Sequence, residues 1–214
     1  MPEAVNGWSD TPQGYGLPGL RSEGLMFEGA FVPPEYTSIA LPFVGRAFTE
    51  VMEAYPHLAM FGFMVADEPV GRVWTTPWGR PFITYNLSRR DQERVQKGLG
   101  VLAEIFFAAG AERIFIPIAG REEQHSLADA RRAIETSFDP IALELAAFHP
   151  LGTARMSSTA RHGVVDSDLE TWEIPGLYVV DGSIVPSALG VNPQITIRGF
   201  ATRAADMLSD RLTN

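Results

Sequence analysis

An apolar run closed by an acid, Leu177-Tyr178-Val179-Val180-Asp181, sets the first limit on the architecture. A strand that is apolar on both faces needs neighbours along both edges and cover above and below. The run therefore predicts a short buried strand, yet nothing nearby supplies a parallel partner for it. Part of the sheet it belongs to is expected to come from elsewhere. Residues 182–191 read as a connection, and Asn192-Pro193 opens a last helix to about Leu212. Asn is a favoured cap and Pro a favoured first helical residue. Ile197, Phe200, Ala201, Ala204 and Leu208 recur at helical spacing and mark the packing face.

Upstream, residues 1–38 read as irregular. Gly7, Gly14, Gly16, Gly19, Gly24 and Gly29 alternate with Pro2, Pro12, Pro18, Pro33 and Pro34, which break helices and long strands. One short strand is expected at 25–28. Residues 41–55 predict a helix with Phe43, Ala47, Val51 and Ala54 on one face. A meander follows, its strands at 58–65, 70–75 and 81–86 joined by Asp67-Glu68-Pro69 and Pro77-Trp78-Gly79. Such short connections make the strands antiparallel.

Ser88 with Asp91 has the form of a capping box. The helix it opens carries Val95, Leu99, Leu102, Ile105 and Phe106 and stops at Gly110. A strand is expected at 113–117, and Ser126 with Asp129 repeats the cap for a helix to about Thr136. Residues 149–176 read mostly as loop. The fold class is α+β: an antiparallel sheet with packing helices, then a carboxy-terminal strand and helix of a different sheet.

Composition narrows the function classes. Of 214 residues, 45% are apolar and 20% charged, enough for one sizeable domain or one domain with an extension. The formal net charge is −9, and the pairs Arg89-Arg90 and Arg131-Arg132 stand alone. No nucleic-acid partner is expected, since phosphate neutralisation dominates such binding. No apolar run reaches the roughly 20 residues of a membrane span. No secretory leader is visible in residues 1–30, so a cytoplasmic location is expected. The absence of cysteine excludes disulfides and thiolate chemistry. His57, His125 and His162 have no metal-ligand spacing, and no metal is expected.

Gly14-Tyr15-Gly16-Leu17-Pro18-Gly19 matches G-x-G-x-x-G letter for letter. A dinucleotide site needs that motif between a strand and a helix. Pro18 interrupts it and no helix follows, so a glycine-rich surface loop is the better reading. His149-Pro150-Leu151-Gly152 holds the histidine embedded in an apolar, glycine-punctuated context. Imidazole is the default general base near neutral pH; the alternative is a loop histidine satisfied by backbone partners. Asn192 reads as a plain cap or as the anion-favouring end of a helix. Asp181-Gly182 reads as a simple turn or as an acid at the ligand-binding end of a strand. Arg155 is expected to pair with an acid.

His149, Gly152-Thr153, Arg155-Met156, Gly163-Val164-Val165-Asp166, Leu177 to Ser183, Pro186, Gly190, Asn192-Pro193 and Thr196 stand in one order. That order resembles the carboxy-terminal block of the glucose-methanol-choline oxidoreductases. Residues 57–117 are similar, more loosely, to the family's substrate domain around Gly71-Arg72-Val73, Tyr85 and Asp91. The resemblance implies bound FAD and oxidation of an alcohol to a carbonyl. His149 would take the hydroxyl proton while hydride passes to flavin N5, and Asn192 would hydrogen-bond the substrate oxygen. Asp181 and Gly182 fall where the family contacts the ribityl and pyrophosphate region of FAD. Pro193, Gln194 and Thr196 fall beside the flavin pyrimidine edge, and Ser157 stands where relatives often have glycine.

On this resemblance residues 1–38 are an irregular segment and 39–147 a substrate-binding domain. Residues 148–214 are a block contributing to the flavin site, its strand and helix belonging to a Rossmann-like FAD-binding domain. The family's amino-terminal unit for the adenosine half of FAD has no counterpart here, so the expected partner is an FAD-binding domain or subunit supplied elsewhere. Alone, the chain is expected to bind FAD weakly and to be inactive. The apolar stretch 58–65 favours a hydrophobic or aromatic alcohol, and the electron acceptor stays open. Two other readings remain, a non-catalytic remnant or binding module and one subunit of a two-chain dehydrogenase.

Overall fold

The computed structural model describes residues 1–5 and 13–213. The expected chain breaks at Gly7 and Pro12 lie outside these residues. In chain order the elements begin with β1 (Gln13–Leu17), β2 (Leu25–Ala30), α1 (Pro34–Ile39), α2 (Gly45–Glu53) and β3 (Phe61–Val65). They continue with β4 (Arg72–Thr75), β5 (Pro81–Thr84), α3 (Arg89–Ala108), β6 (Ile114–Phe115), β7 (Glu123–Gln124), α4 (Leu127–Glu135) and α5 (Gln194–Thr213). The chain is mixed α/β with small antiparallel sheets, and it divides into two compact units. One holds residues 1–65 and 89–146, the other 66–88 and 147–214.

In the first unit β1, β2 and β3 form one antiparallel sheet in that order. Leu25 pairs with Val65 and Phe27 with Phe63. Leu25 and Phe27 are fully buried while Met26 and Glu28 are less so, the two-residue alternation of a sheet with one covered face. The cover includes Leu102 and Phe106 of α3. Val95, Leu99, Leu102 and Ala103 line the buried side of that helix at the spacing of one helical face. Gly98 sits mid-helix because a Cβ there would lie 2.6 Å from the Phe63 ring. Gly110, at φ 86°, ends the chain's helical path. Ser126 caps α4 as expected, its Oγ accepting from the Asp129 amide at 3.1 Å.

Several expectations are corrected. The G-x-G-x-x-G stretch is not a loop: β1 contains its first four residues, and a three-residue 3-10 turn, Arg21–Glu23, follows. Part of the irregular segment is helical, since Pro34 at the first position of α1 is already shaped for a helix. The next helix starts at Gly45 rather than residue 41; Pro42 disfavours helical geometry at Leu41 before it. There is no three-stranded meander. Among the described residues β3 pairs with β2, and β4 and β5 pair only with each other.

In the second unit β4 and β5 make a hairpin closed by Gly79 at φ 75°. Thr76 braces the turn, its Oγ1 accepting from the Arg80 amide at 2.9 Å. Tyr85 donates its hydroxyl to Asp67 Oδ2 at 2.8 Å across the hairpin base. Residues 177–181 do not form the buried strand expected of them. Tyr178 makes a single bridge with Glu170, and Leu177 is exposed. The physical reason is a missing edge: the run bonds the turn at 169–171 through the Leu177 carbonyl and the Val179 amide, its other backbone bonds are local, and among the described residues no strand pairs with it. The core beneath comprises Val165, Leu169, Ile184, Val185 and Ala204. On α5 the expected stripe holds, with Ala204 buried and Ile197, Phe200, Ala201 and Leu208 half-buried.

Candidate active site

The segment after His149 is laid against the segment after Asp181 by backbone bonds. The Ala154 amide donates to the Ser183 carbonyl at 3.0 Å, and the Met156 amide to the Ile184 carbonyl at 2.8 Å. Gly152 lies at φ 81°, where a Cβ would come within 3.3 Å of the Val185 carbonyl oxygen. Gly182 marks the meeting point. A Cβ there would lie 3.1 Å from Leu151 Cδ2, 3.2 Å from Ile197 Cδ1 and 3.6 Å from the Pro150 oxygen. The residues following His149, the turn after Asp181 and the first turn of α5 therefore touch at one glycine.

The individual side chains differ in how they are held. His149 is exposed, and no group among the described residues hydrogen-bonds its ring. Asn192 is exposed and Pro193 buried, while Gln194 is exposed and Thr196 half-buried. The Ile197 amide donates to the Pro193 carbonyl at 2.9 Å, so Pro193 rather than Asn192 occupies the cap position of α5. The free amides of the first turn give this end its partial positive charge. Asp181 accepts from the Ser183 hydroxyl at 2.5 Å and from the Ser183 amide at 2.8 Å. Those two bonds, the hydroxyl's first, hold its carboxyl below the ordinary aspartate range.

Sequence reasoning missed the acidic turn that anchors α5. Asp166 Oδ1 accepts from the amides of Asp168 and Glu170 at 2.8 and 3.1 Å, which folds fully buried Leu169 into a left-handed conformation, φ 68°. From α5, Arg203 reaches the Ser167 carbonyl at 2.6 Å and Asp168 at 3.1 Å. Arg211 bonds Glu170 at 3.0 Å and Asp168 at 3.2 Å. The Gly176 amide, then Arg211 and Tyr178, hold the Glu170 carboxyl below the ordinary glutamate range. Desolvation, and then its bond to Glu170, pushes the Tyr178 phenol up. The available signal was two arginines about two turns apart on one helix. Arg155, by contrast, makes no ion pair among the described residues. Ser157 closes a small turn, its hydroxyl accepting from the Thr159 amide at 3.2 Å.

An open cavity of about 610 Å³ in the first unit is lined by residues 120–125 with Asp129, Arg132, Ala133 and Thr136. Its arginines are already engaged, Arg121 with the carbonyls of Ala133, Thr136 and Ser137 and Arg132 with Asp129. Among the described residues no group of three or more metal-ligating side chains gathers, and no helix is long and apolar enough to cross a membrane.

A sequence profile described as GMC oxidoreductase matches residues 68–201, a span that includes the hairpin, His149, Asp181 and Asn192. The chain belongs to the GMC oxidoreductase family. An uncharacterised GMC-type oxidoreductase of Mycobacterium tuberculosis is 32% identical over 186 residues, covering 87% of this chain and 29% of that protein. A long-chain-alcohol oxidase of Arabidopsis thaliana is 29% identical over 194 residues, 85% of this chain and 25% of the oxidase. The chain thus spans less than a third of these GMC relatives. Formate oxidase of Aspergillus oryzae has a similar fold, with a TM-score of 0.56 at 19% identity over 88% of this chain and 32% of the oxidase.

Proposed function

We propose that this chain is the carboxy-terminal part of an FAD-dependent oxidoreductase that converts an alcohol to a carbonyl. Residues 39–147 are read as a substrate-binding domain and 148–214 as a flavin-site block, with the strands β1 and β2 of 1–38 belonging to the sheet of the first unit. The last block joins a Rossmann-like FAD-binding domain carried by the rest of the enzyme. The observation that carries the reading is the contact at Gly182, which joins the neighbours of His149, Asp181 and Asn192. The long-chain-alcohol oxidases among the relatives favour a hydrophobic alcohol as substrate.

Three features suit FAD. The open amides at the start of α5, beside Pro193, Gln194 and Thr196, fit a ring edge that gains negative charge. Asp181 stays ionised, and its Oδ2, without a partner among the described residues, can accept from the hydroxyls of the ribityl chain. Gly182 brings no side chain to that approach. When bound, a flavin would supply the acceptor for the hydride removed from the alcohol carbon. The chain's own residues do the rest: His149 takes the hydroxyl proton, and Asn192 donates to the same oxygen and fixes its orientation. Among the described residues no hydrogen bond ties up its ring nitrogens, which supports that role.

The direct test joins the chain to an FAD-binding segment of the family and substitutes His149→Ala. Flavin reduction by alcohols, followed anaerobically by bleaching, should slow about a hundredfold or more. An unchanged rate removes His149 from the chemistry.

A further inference from the structure

The β4–β5 hairpin is apolar on both faces. Val73 pairs with Ile83 and Trp74 with Phe82, and successive residues alternate sides, so each pair takes one face. None is covered: Val73 is 49% exposed, Ile83 68%, Trp74 52% and Phe82 57%, with Trp78 at the turn 83%. An isolated two-stranded ribbon is marginally stable in water. Large apolar side chains left open on both faces of one ribbon point to an interaction site rather than ordinary surface. Charge is biased as well. Residues 69–87 carry Arg72 and Arg80 and no carboxylate, in a chain of net charge −9.

The occupant follows from where the family match begins. It starts at residue 68, at the hairpin base, so the ribbon is part of what this chain shares with full-length relatives. A shared apolar ribbon needs a shared cover. The described residues leave it open, and the chain spans 29% of the mycobacterial relative. We propose that the β4–β5 hairpin is a docking surface for the part of the GMC fold that this chain does not span, with carboxylates of that polypeptide facing Arg72 and Arg80. The proposal rests on the reading that the chain is one part of a larger oxidoreductase. Apolarity on both faces fits a cleft that closes around the ribbon better than it fits a flat surface. Trp74, Trp78 and Phe82 are the anchors, aromatic groups of the kind that dominate interface energetics. Arg72 lies 5.9 Å over the Trp74 ring, which holds its charge against the same face.

The probe is the mycobacterial relative expressed without the 186 residues that match this chain. It is mixed with the 214-residue chain, with and without FAD, and association is followed by sedimentation and tryptophan emission. An equimolar complex with blue-shifted emission is expected. Trp74→Ser with Phe82→Ser, and separately Val73→Ser with Ile83→Ser, should each weaken it at least about tenfold. Arg72→Gln with Arg80→Gln should weaken it less and flatten its salt dependence. The variants alter exposed side chains, so unchanged circular dichroism and melting separate lost docking from lost folding. Three results overturn the proposal: no complex, a complex indifferent to the hairpin variants, or the same blue shift on phosphatidylcholine–phosphatidylglycerol vesicles in place of the polypeptide. A hairpin-dependent complex that retains no flavin upholds the docking and ends the flavin reading. Flavin uptake by the chain alone, without a complex, does the reverse.

Discussion

In the first unit a sheet and a long helix close large apolar residues on one another; in the second a hairpin leaves paired apolar residues open beside a smaller core and a charged tether. Leu25, Phe27 and Leu102 make a core that water does not reach. The second unit has a smaller core around Ile184 and Leu169. It ties α5 down through Arg203, Arg211 and the acidic turn, and leaves Trp78 and Phe148 exposed. Burial is the dominant favourable term in folding, so a hairpin that leaves Trp74, Trp78 and Phe82 exposed together keeps that surface for something other than the chain's own stability. The difference separates a scaffold from a working surface.

The largest test sets one buried aromatic against one exposed. Phe27→Ala should destabilise the first unit by about 3–5 kcal/mol, read from urea denaturation. Trp78→Ser should stay within about 0.5 kcal/mol in the isolated chain. Similar costs for the two would erase the contrast.

Close glycine contacts sharpen it further. In the second unit a Cβ at Gly163 would lie 2.4 Å from the Arg155 carbonyl oxygen, and backbone cannot step aside. Gly163→Ala should therefore cost more than about 2 kcal/mol. In the first unit Gly98→Ala presses on the half-buried Phe63 ring, which can turn. Alanine's better helix propensity also returns up to about 1 kcal/mol. Gly98→Ala should cost less than Gly163→Ala in the same denaturation experiment.

What could be read from the sequence was what local physics decides. Ser126 with Asp129 signals a cap because the bond spans three residues, and the stripes of α3 and α5 are set by helical period. The pairing of β3 was not legible. Alternation reveals a strand but not its neighbour, and β3 passes over the adjacent hairpin to reach β2 across more than thirty residues. Residues 177–181 misled for a related reason, since apolar content predicts burial only if edges and cover exist. In the site, His149, Asp181 and the start of α5 stood out through their chain order. The acidic turn did not, because it depends on a left-handed Leu169 that only the Asp166 side-chain bonds reveal.

Leu169 gives a test in which the usual order of substitutions reverses. Alanine normally beats glycine by about 0.5–1 kcal/mol in regular structure. At φ 68° alanine keeps the strain of the left-handed region, roughly 1–2 kcal/mol, while glycine loses it. Both variants forfeit the buried side chain. Leu169→Gly should therefore be the more stable by about 1 kcal/mol, as judged by melting of the two proteins side by side.

The smallest expected effect is the pH dependence of the α5 tether. Glu170 is held below the ordinary glutamate range by the Gly176 amide, Arg211 and Tyr178. A carboxyl whose folded-state value is depressed stabilises the fold fully above its unfolded value and loses that contribution as pH falls through the lowered one. Glu170→Gln removes the charge at every pH. The wild-type protein should melt above this variant near neutrality, and the two should converge in acid below the ordinary glutamate range. Phe27→Ala, which removes no charge, should keep a constant offset from wild type across the same window. If the Glu170→Gln difference is flat with pH, the Glu170–Arg211 pair contributes nothing, and the tether of α5 rests on Asp168 and the apolar core.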